Sequence, residues 1–338
     1  MKRYMLLLFL IIADVSLFVI LRKVDGIWIQ AAFAAALWFT LVTVLKIFSD
    51  YLERRDLKAW IKRLAAIATD IVEIAALLFA FVFIYQDVAL FHPNDDPVSR
   101  QYILSRQEFT EVIVDGDGKV YHGYMRRDDS DEPSPIIIFF VGNGENAARM
   151  MQAMDSAGAW ASFLNYNCLI MDYPGYGINS GTPSAKTMFE EALLTYDYAV
   201  SLPYVDINRV LIGGVSVGTG PAVYLAANRQ AAGLFLLAPY ASGYDLYNSV
   251  LPVFHGPLRL LVKHKFTSDQ YAASITAPVL IIASKSDEIV PFASSEKLVK
   301  CFPDEPTFVT LSGVGHNGIM FNKTTLSSIQ SFLVSLMK

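Results

Sequence analysis

Hydrophobic positions follow two different spacings along the chain. Up to about residue 91 they run almost unbroken; beyond residue 108 short apolar runs alternate with longer segments in which apolar residues recur every three or four positions. The first regime predicts helices that cross a bilayer. The opening "MLLLFLIIADVSLFVIL" predicts a retained helix over residues 5–21, because it lacks the small-residue cleavage pattern of a signal peptide. A second span is expected over 27–45, "IWIQAAFAAALWFTLVTVL", which carries no charge and approaches the ~20 residues a crossing needs. A third, over 64–90, is interrupted by Asp70, Glu73 and Asp87. Asp70 and Glu73 share one helical face, and each costs ~3 kcal/mol at mid-membrane, which favours a place near an interface or inside the helix bundle.

The basic residues then orient the spans. Lys2 and Arg3 fall on the same side as Arg54, Arg55, Lys58, Lys62 and Arg63, while the first loop holds only Arg22 and Lys23. Three spans put the remainder of the chain outside the cytoplasm; two would leave it inside.

Composition agrees with this division. The chain is 54% hydrophobic with a mean hydropathy of +0.38, an excess concentrated before residue 91. A net charge of −5 without a basic block gives no electrostatic footprint for nucleic acid. Two cysteines, Cys168 and Cys301, read as buried thiols rather than a disulfide framework.

After a Pro- and Asp-rich linker over 92–107, the second regime fits a globular domain over 108–338. "EFTEVIVDGDGKVYHGYM" predicts a β-hairpin. The runs "PIIIFFV", "NCLIMDY", "RVLIGGV", "GLFLLAPY", "APVLIIAS" and "PTFVTL" are apolar enough for strands buried on both faces. Helical patterns separate them, including "AARMMQAMDSAGAWASFL" and "SAKTMFEEALLTYDYAVSL". Strand alternating with helix predicts an α/β fold: a mostly parallel sheet, helices on both faces, entered by an antiparallel hairpin.

In such a sheet chemistry gathers at the carboxyl ends of the strands. Gly214-Val215-Ser216-Val217-Gly218 fits G-x-S-x-G between a strand and a helix, where Ser216 is either a raised nucleophile or a helix cap. A nucleophilic serine needs a base, and the base an orienting acid, in the chain order Ser, Asp or Glu, His. Asp287 follows "PVLIIAS" and His316 follows "PTFVTL", so both sit at later strand ends. Glu288 is the near rival of Asp287; His92, His122, His255 and His264 lie elsewhere. For an oxyanion, Val217 N–H follows the nucleophile and Asn143 N–H in "VGNGEN" supplies the second donor, while Asn146 is placed to cap the next helix.

The motifs "GNGEN", "DYPGYGINSGTPS", "GVSVG", "SDEIVPF" and "GVGHN", in that order, resemble the α/β-hydrolase fold, and within it the membrane-tethered α/β-hydrolase-domain serine hydrolases. The resemblance implies a Ser216–His316–Asp287 triad with Asn143 and Val217 at the oxyanion, no cofactor and no metal. Val141 stands where such relatives usually have His. Asp172 and the Pro174-Gly175 turn match a structural signature of the family. A short cap, about 241–276 and rich in Tyr, Leu and Phe, would suit an acyl chain, since each buried methylene contributes ~0.8 kcal/mol. The expected substrates are acyl esters or thioesters of lipids, lysophospholipids or acylated proteins at the membrane. A non-catalytic membrane scaffold and an amidase or peptidase of the same fold are the alternatives.

Overall fold

The computed structural model describes residues 27–55, 57–116, 118–128, 130–250 and 252–337. The span expected over 5–21 lies outside the described residues. The chain divides into two compact units, residues 1–90 and 91–338.

In the first unit α1 (Ile27–Glu53) and α2 (Ala59–Leu90) pack on each other. Both outrun the apolar stretches that announce them, because the flanking residues are good helix formers with no Pro or Gly to stop the helix. Both are long and apolar enough, by length and composition, to cross a membrane. On α2 the side chains of Ile67, Ile71, Ile74, Leu78, Phe81 and Tyr85 are each more than half exposed. Their spacing by threes and fours makes one continuous apolar stripe.

The second unit opens with α3 (Pro97–Leu104), inside the stretch read from sequence as a linker. Asp96 caps it, its carboxylate accepting from Val98 and Ser99 N–H, and Pro97 occupies the first turn, where a missing N–H costs nothing. Ile103 is fully buried, so this segment belongs to the folded domain.

The sheet has eight strands: β1 (Phe109–Gly116), β2 (Lys119–Arg126), β3 (Ser134–Phe140), β4 (Asn167–Met171), β5 (Val205–Val215), β6 (Gly233–Leu237), β7 (Val279–Ser284) and β8 (Thr307–Leu311). Their order is β1-β2-β4-β3-β5-β6-β7-β8. β1 and β2 form the expected hairpin, β2 runs antiparallel to β4, and every pairing from β4 to β8 is parallel. β3, β4, β6 and β7 are buried at every position, as their unbroken apolar runs require.

Two helical layers cover the sheet. One contains α3, α4 (Ala147–Ser156), a 3-10 turn at Ala159–Phe163 and α10 (Lys323–Ser335); the other contains α5 (Ala185–Ser201), α6 (Thr219–Asn228), α8 (Ser268–Ala272) and α9 (Phe292–Val299). The run "AARMMQAMDSAGAWASFL" breaks in two because Gly158 takes a left-handed φ of +62°. Between the layers Phe139 stacks on Phe235 at 5.9 Å, and Phe163 meets both edge-on. Burying each ring contributes ~2 kcal/mol. The stretch expected as a cap holds α7 (Gly243–Val250), a 3-10 turn at Gly256–Leu261 and α8. Tyr247, Phe254, Val262 and Phe266 are buried, whereas Val253 and Leu260 remain exposed.

Candidate active site

Ser216 is at the carboxyl end of β5, in the 3-10 turn that leads into α6, with a φ of +54°. Left-handed backbone in a non-glycine residue costs of order 1 kcal/mol and persists only where neighbours enforce it. Here the neighbours are close backbone. A Cβ on Gly214 would lie 2.6 Å from Gly218 O, and one on Gly218 would lie 2.3 Å from Phe140 O. Both glycines of the motif are therefore steric necessities of the turn.

The Ser216 hydroxyl makes no cap; it lies 2.9 Å from His316 Nε2. On the far side of the ring, Nδ1 is 2.8 Å from Asp287 Oδ2. A carboxylate accepts, so Nδ1 carries the proton and Nε2 is free to accept from the serine. The Asp287 side chain is 2% exposed, and its other oxygen accepts from Ile289 and Val290 N–H at 2.9 and 2.8 Å. Two backbone donors and one imidazole hold this carboxylate in one orientation. Glu288 takes a different place: its carboxylate accepts from the backbone N–H of His316 at 3.0 Å and does not reach the ring. Ser286 Oγ accepts from Gly313 N–H, and Ser284 Oγ donates to Val314 O, so the loops after β7 and β8 are laced together.

The loop after β3 faces the nucleophile from the other side. An added Cβ at Gly142 would be 3.6 Å from Ser216 Cβ, an ordinary contact that places this loop against the serine. Among the described residues no hydrogen bond uses the N–H of Asn143 or Val217, which leaves both donors available. Behind each donor stands a buried tyrosine that the sequence reading gave no role. Tyr173 Oη donates to Val141 O at 2.9 Å and Tyr240 Oη donates to Val217 O at 3.0 Å. Burial pushes both phenols well above their ordinary pKa, so each remains a donor across the working pH range. The flanking motifs "DYPGY" and "LAPY" carried these tyrosines in plain view; only the folded positions reveal what they hold.

Asp172 supports the same loop from below. Its Oδ1 accepts from Ala147 N–H, the first residue of α4, at 2.6 Å, while Asn146 caps that helix through Arg149 N–H at 2.9 Å. Gly177, at φ +54°, passes so close that a Cβ would strike the Asp172 carboxylate. Burial raises the Asp172 pKa to about 7 and that of Glu191, in α5, to about 8. Glu191 Oε1 accepts from Thr195 at 2.5 Å, and its second oxygen has no hydrogen-bond partner among the described residues.

The remaining histidines are dispersed. His122 Nδ1 is 3.3 Å from Glu111, and His264 is buried beneath the ring of Phe91. His92, read from sequence as part of a linker, instead contacts Asn143. Cys168 is buried and Cys301 partly so; neither is in a disulfide. Among the described residues no group of three or more His, Cys, Asp or Glu could hold a metal ion.

A parallel sheet of this order with a serine on a strained strand-to-helix turn defines an α/β-hydrolase architecture. No family model matches the chain. An uncharacterized protein of Mycobacterium tuberculosis is 30% identical over 263 residues, covering 77% of this chain and 91% of that protein. The human α/β-hydrolase domain-containing protein 17C is 26% identical over 197 residues, 58% of this chain and 57% of that one. Among solved structures, Est1E of Butyrivibrio proteoclasticus superposes with a TM-score of 0.55 at 17% identity, over 67% of this chain and 98% of that one. An acetyl xylan esterase of Paenibacillus gives 0.54 at 15% identity, over 74% and 98%. The chain belongs to one family with the mycobacterial protein, and its fold is that of the α/β-hydrolases.

Proposed function

We propose that the protein is a membrane-anchored serine hydrolase that cleaves acyl ester or thioester bonds, with Ser216 as nucleophile. The observation that carries the reading is the relay from Ser216 through His316 to Asp287, with links of 2.9 and 2.8 Å, on a turn whose strain raises the hydroxyl. Ser216 Oγ attacks the acyl carbonyl carbon while His316 Nε2 takes its proton. The carbonyl oxygen becomes an oxyanion that accepts from Asn143 and Val217 N–H. The tetrahedral species collapses, the leaving alkoxide or thiolate departs with the proton from His316, and an acyl-serine remains. Water, deprotonated by His316, hydrolyses that ester and restores the serine. Asp287 keeps the proton on Nδ1 and stabilises the imidazolium formed in each half-reaction.

The apolar stripe of α2 and the exposed Leu260 and Val253 support a substrate that is itself part of the membrane surface, a lipid, a lysophospholipid or an acylated protein. With three spans the hydrolase faces the extracytoplasmic side, which follows from the basic cluster over 54–63 lying inside.

A fluorophosphonate probe should label the wild-type protein at Ser216, fail on Ser216→Ala and fail on His316→Ala, with chelators leaving labelling unchanged. Full labelling of folded Ser216→Ala would sink the assignment of Ser216, and wild-type protein that takes no label would return the domain to a binding or scaffold role. Comparison of membrane lipids and acylated proteins between cells with wild-type and Ser216→Ala protein then names the substrate class, and protease added to sealed vesicles reports the side.

A further inference from the structure

The loop that presents Asn143 is built to be loose. It reads Val141-Gly142-Asn143-Gly144, and Gly144 takes a φ of +74°, so little in the backbone itself restricts where the Asn143 N–H points. Val141 brings no polar side chain to steady it. Beside Tyr173 and Tyr176, what steadies it comes from residues 91–94, immediately after Leu90, where α2 ends.

His92 N–H donates to Asn143 Oδ1 at 2.9 Å, and Tyr176 Oη donates to the same oxygen at 2.8 Å. A backbone N–H needs an oxygen opposite it, so the amide orientation is decided chemically. Asn143 Nδ2 then faces His92 Nδ1 at 3.2 Å. An amide nitrogen only donates, which makes Nδ1 the unprotonated acceptor. Asn94 extends the contact: its Nδ2 donates to Gly144 O, its Oδ1 accepts from Asn146 at 2.7 Å, and its carbonyl accepts from Gly177 N–H at 2.8 Å. Phe91, 4% exposed, locks the start of the segment with its ring 4.8 Å from His264, edge to face.

We infer that His92 is a positioning residue for hydrolysis: with Tyr176 it clamps the Asn143 side chain and so aims the Asn143 N–H at the oxyanion. The inference rests on the proposed reading of Ser216 and Asn143. Its chemical content is specific. The clamp uses an acceptor at the Nδ1 position, so a side chain that keeps an acceptor there preserves it and one that only fills the space does not. The clamp acts on a donor that matters once the oxyanion forms, so its loss falls on turnover and not on substrate affinity.

The test uses the full chain in detergent micelles or vesicles with p-nitrophenyl butyrate and octanoate as probes. His92→Ala and His92→Phe should lower kcat by about five- to tenfold with KM within about threefold. His92→Asn, whose Oδ1 replaces Nδ1 as acceptor, should stay within about threefold of wild type. Tyr176→Phe, which removes one donor from a folded site, should lose about three- to tenfold in kcat. His92→Ala combined with Asn143→Ala should be no worse than Asn143→Ala alone, the mark of two residues acting through one contact. Should His92→Ala fail to fold, the Asn-against-Phe comparison and Tyr176→Phe decide the matter. Turnover of His92→Phe and Tyr176→Phe within twofold of wild type, or His92→Asn as poor as His92→Phe, overturns the clamp. Activity that survives Ser216→Ala overturns the underlying reading instead, and the two failures are read from different variants.

Discussion

The two loops that meet at Ser216 are held in opposite ways. The turn after β5 is shaped by its own glycines: Gly214 and Gly218 let strand, turn and helix approach within contacts no Cβ tolerates, and Ser216 is strained by residues two positions away. The loop after β3 is shaped by side chains distant in sequence, from His92 and Asn94 on one side and Tyr173 and Tyr176 on the other. A nucleophile can be positioned by local backbone geometry because its attack line is fixed by one Cα–Cβ bond. An oxyanion donor on a glycine-flanked loop has no such lever, so the rest of the domain supplies it. Local constraint leaves a motif in sequence; distributed constraint does not.

The largest expected effect lies in the first loop. Ser216→Ala and His316→Ala should each reduce kcat by about six orders of magnitude, and the double variant should be no worse, because the residues act as one unit. Additive losses measured with a p-nitrophenyl ester would show that the serine and histidine do not share a step.

The second loop should respond in grades. Asn143→Pro deletes the N–H and should cost about two to three decades in turnover. Asn143→Ala keeps the N–H but releases the clamp, and should cost about one decade. Equal losses in folded Ala and Pro variants would move the catalytic contribution from backbone to side chain and dissolve the contrast between the loops.

A stability measurement probes what lies beneath that second loop. Asp172 and Glu191 are buried with pKa values raised to about 7 and about 8, chiefly by loss of hydration. The folded state thus holds these protons more tightly than the unfolded chain does. That contribution is complete below about pH 4, declines as pH rises through 7 and 8, and is gone above. Urea midpoints should therefore fall between pH 5 and pH 8.5. Glu191→Gln, which stays neutral and still accepts from Thr195, should recover roughly a few kcal/mol at the upper end and almost nothing at the lower. A variant that loses stability equally at both pH values would mean that Glu191 acts through shape alone.

The smallest effect concerns Glu288. Its carboxylate holds the His316 backbone, not the ring, so Glu288→Gln should cost about 1 kcal/mol of positioning, a several-fold loss of kcat. Asp287→Asn, by contrast, offers the ring a donor where it needs an acceptor and should cost about four orders of magnitude in kcat, less than His316→Ala.

The same distinction explains what could be read from residues alone. The buried strands announce themselves because a strand covered on both faces must be apolar throughout, as in "PIIIFFV" and "VLIIAS". That Ser216, Asp287 and His316 come together was legible because each follows such a run and their chain order fits the Ser, Asp, His pattern. Helix α3 was legible in principle, since Asp96 followed by Pro97 is a helix start, but the surrounding Pro and Asp residues looked like a linker. The roles of Tyr176 and His92 were not legible at all. Their partners lie 33 and 51 residues away, and nothing in local spacing encodes a bond across that separation.

The position of His92 and Asn94 also bears on how the second unit is to be produced by itself. A soluble fragment begun at the hairpin, near Phe109, would contain all of Ser216, His316 and Asp287 yet leave behind the residues that brace the loop beside them. Begun at Phe91, the fragment keeps the brace and α3 while shedding the apolar helices α1 and α2. If the proposed roles of Asn143 and His92 hold, choice of the first residue in a recombinant product selects between a hydrolase with its oxyanion donor steadied and one that binds its probe and turns it over slowly.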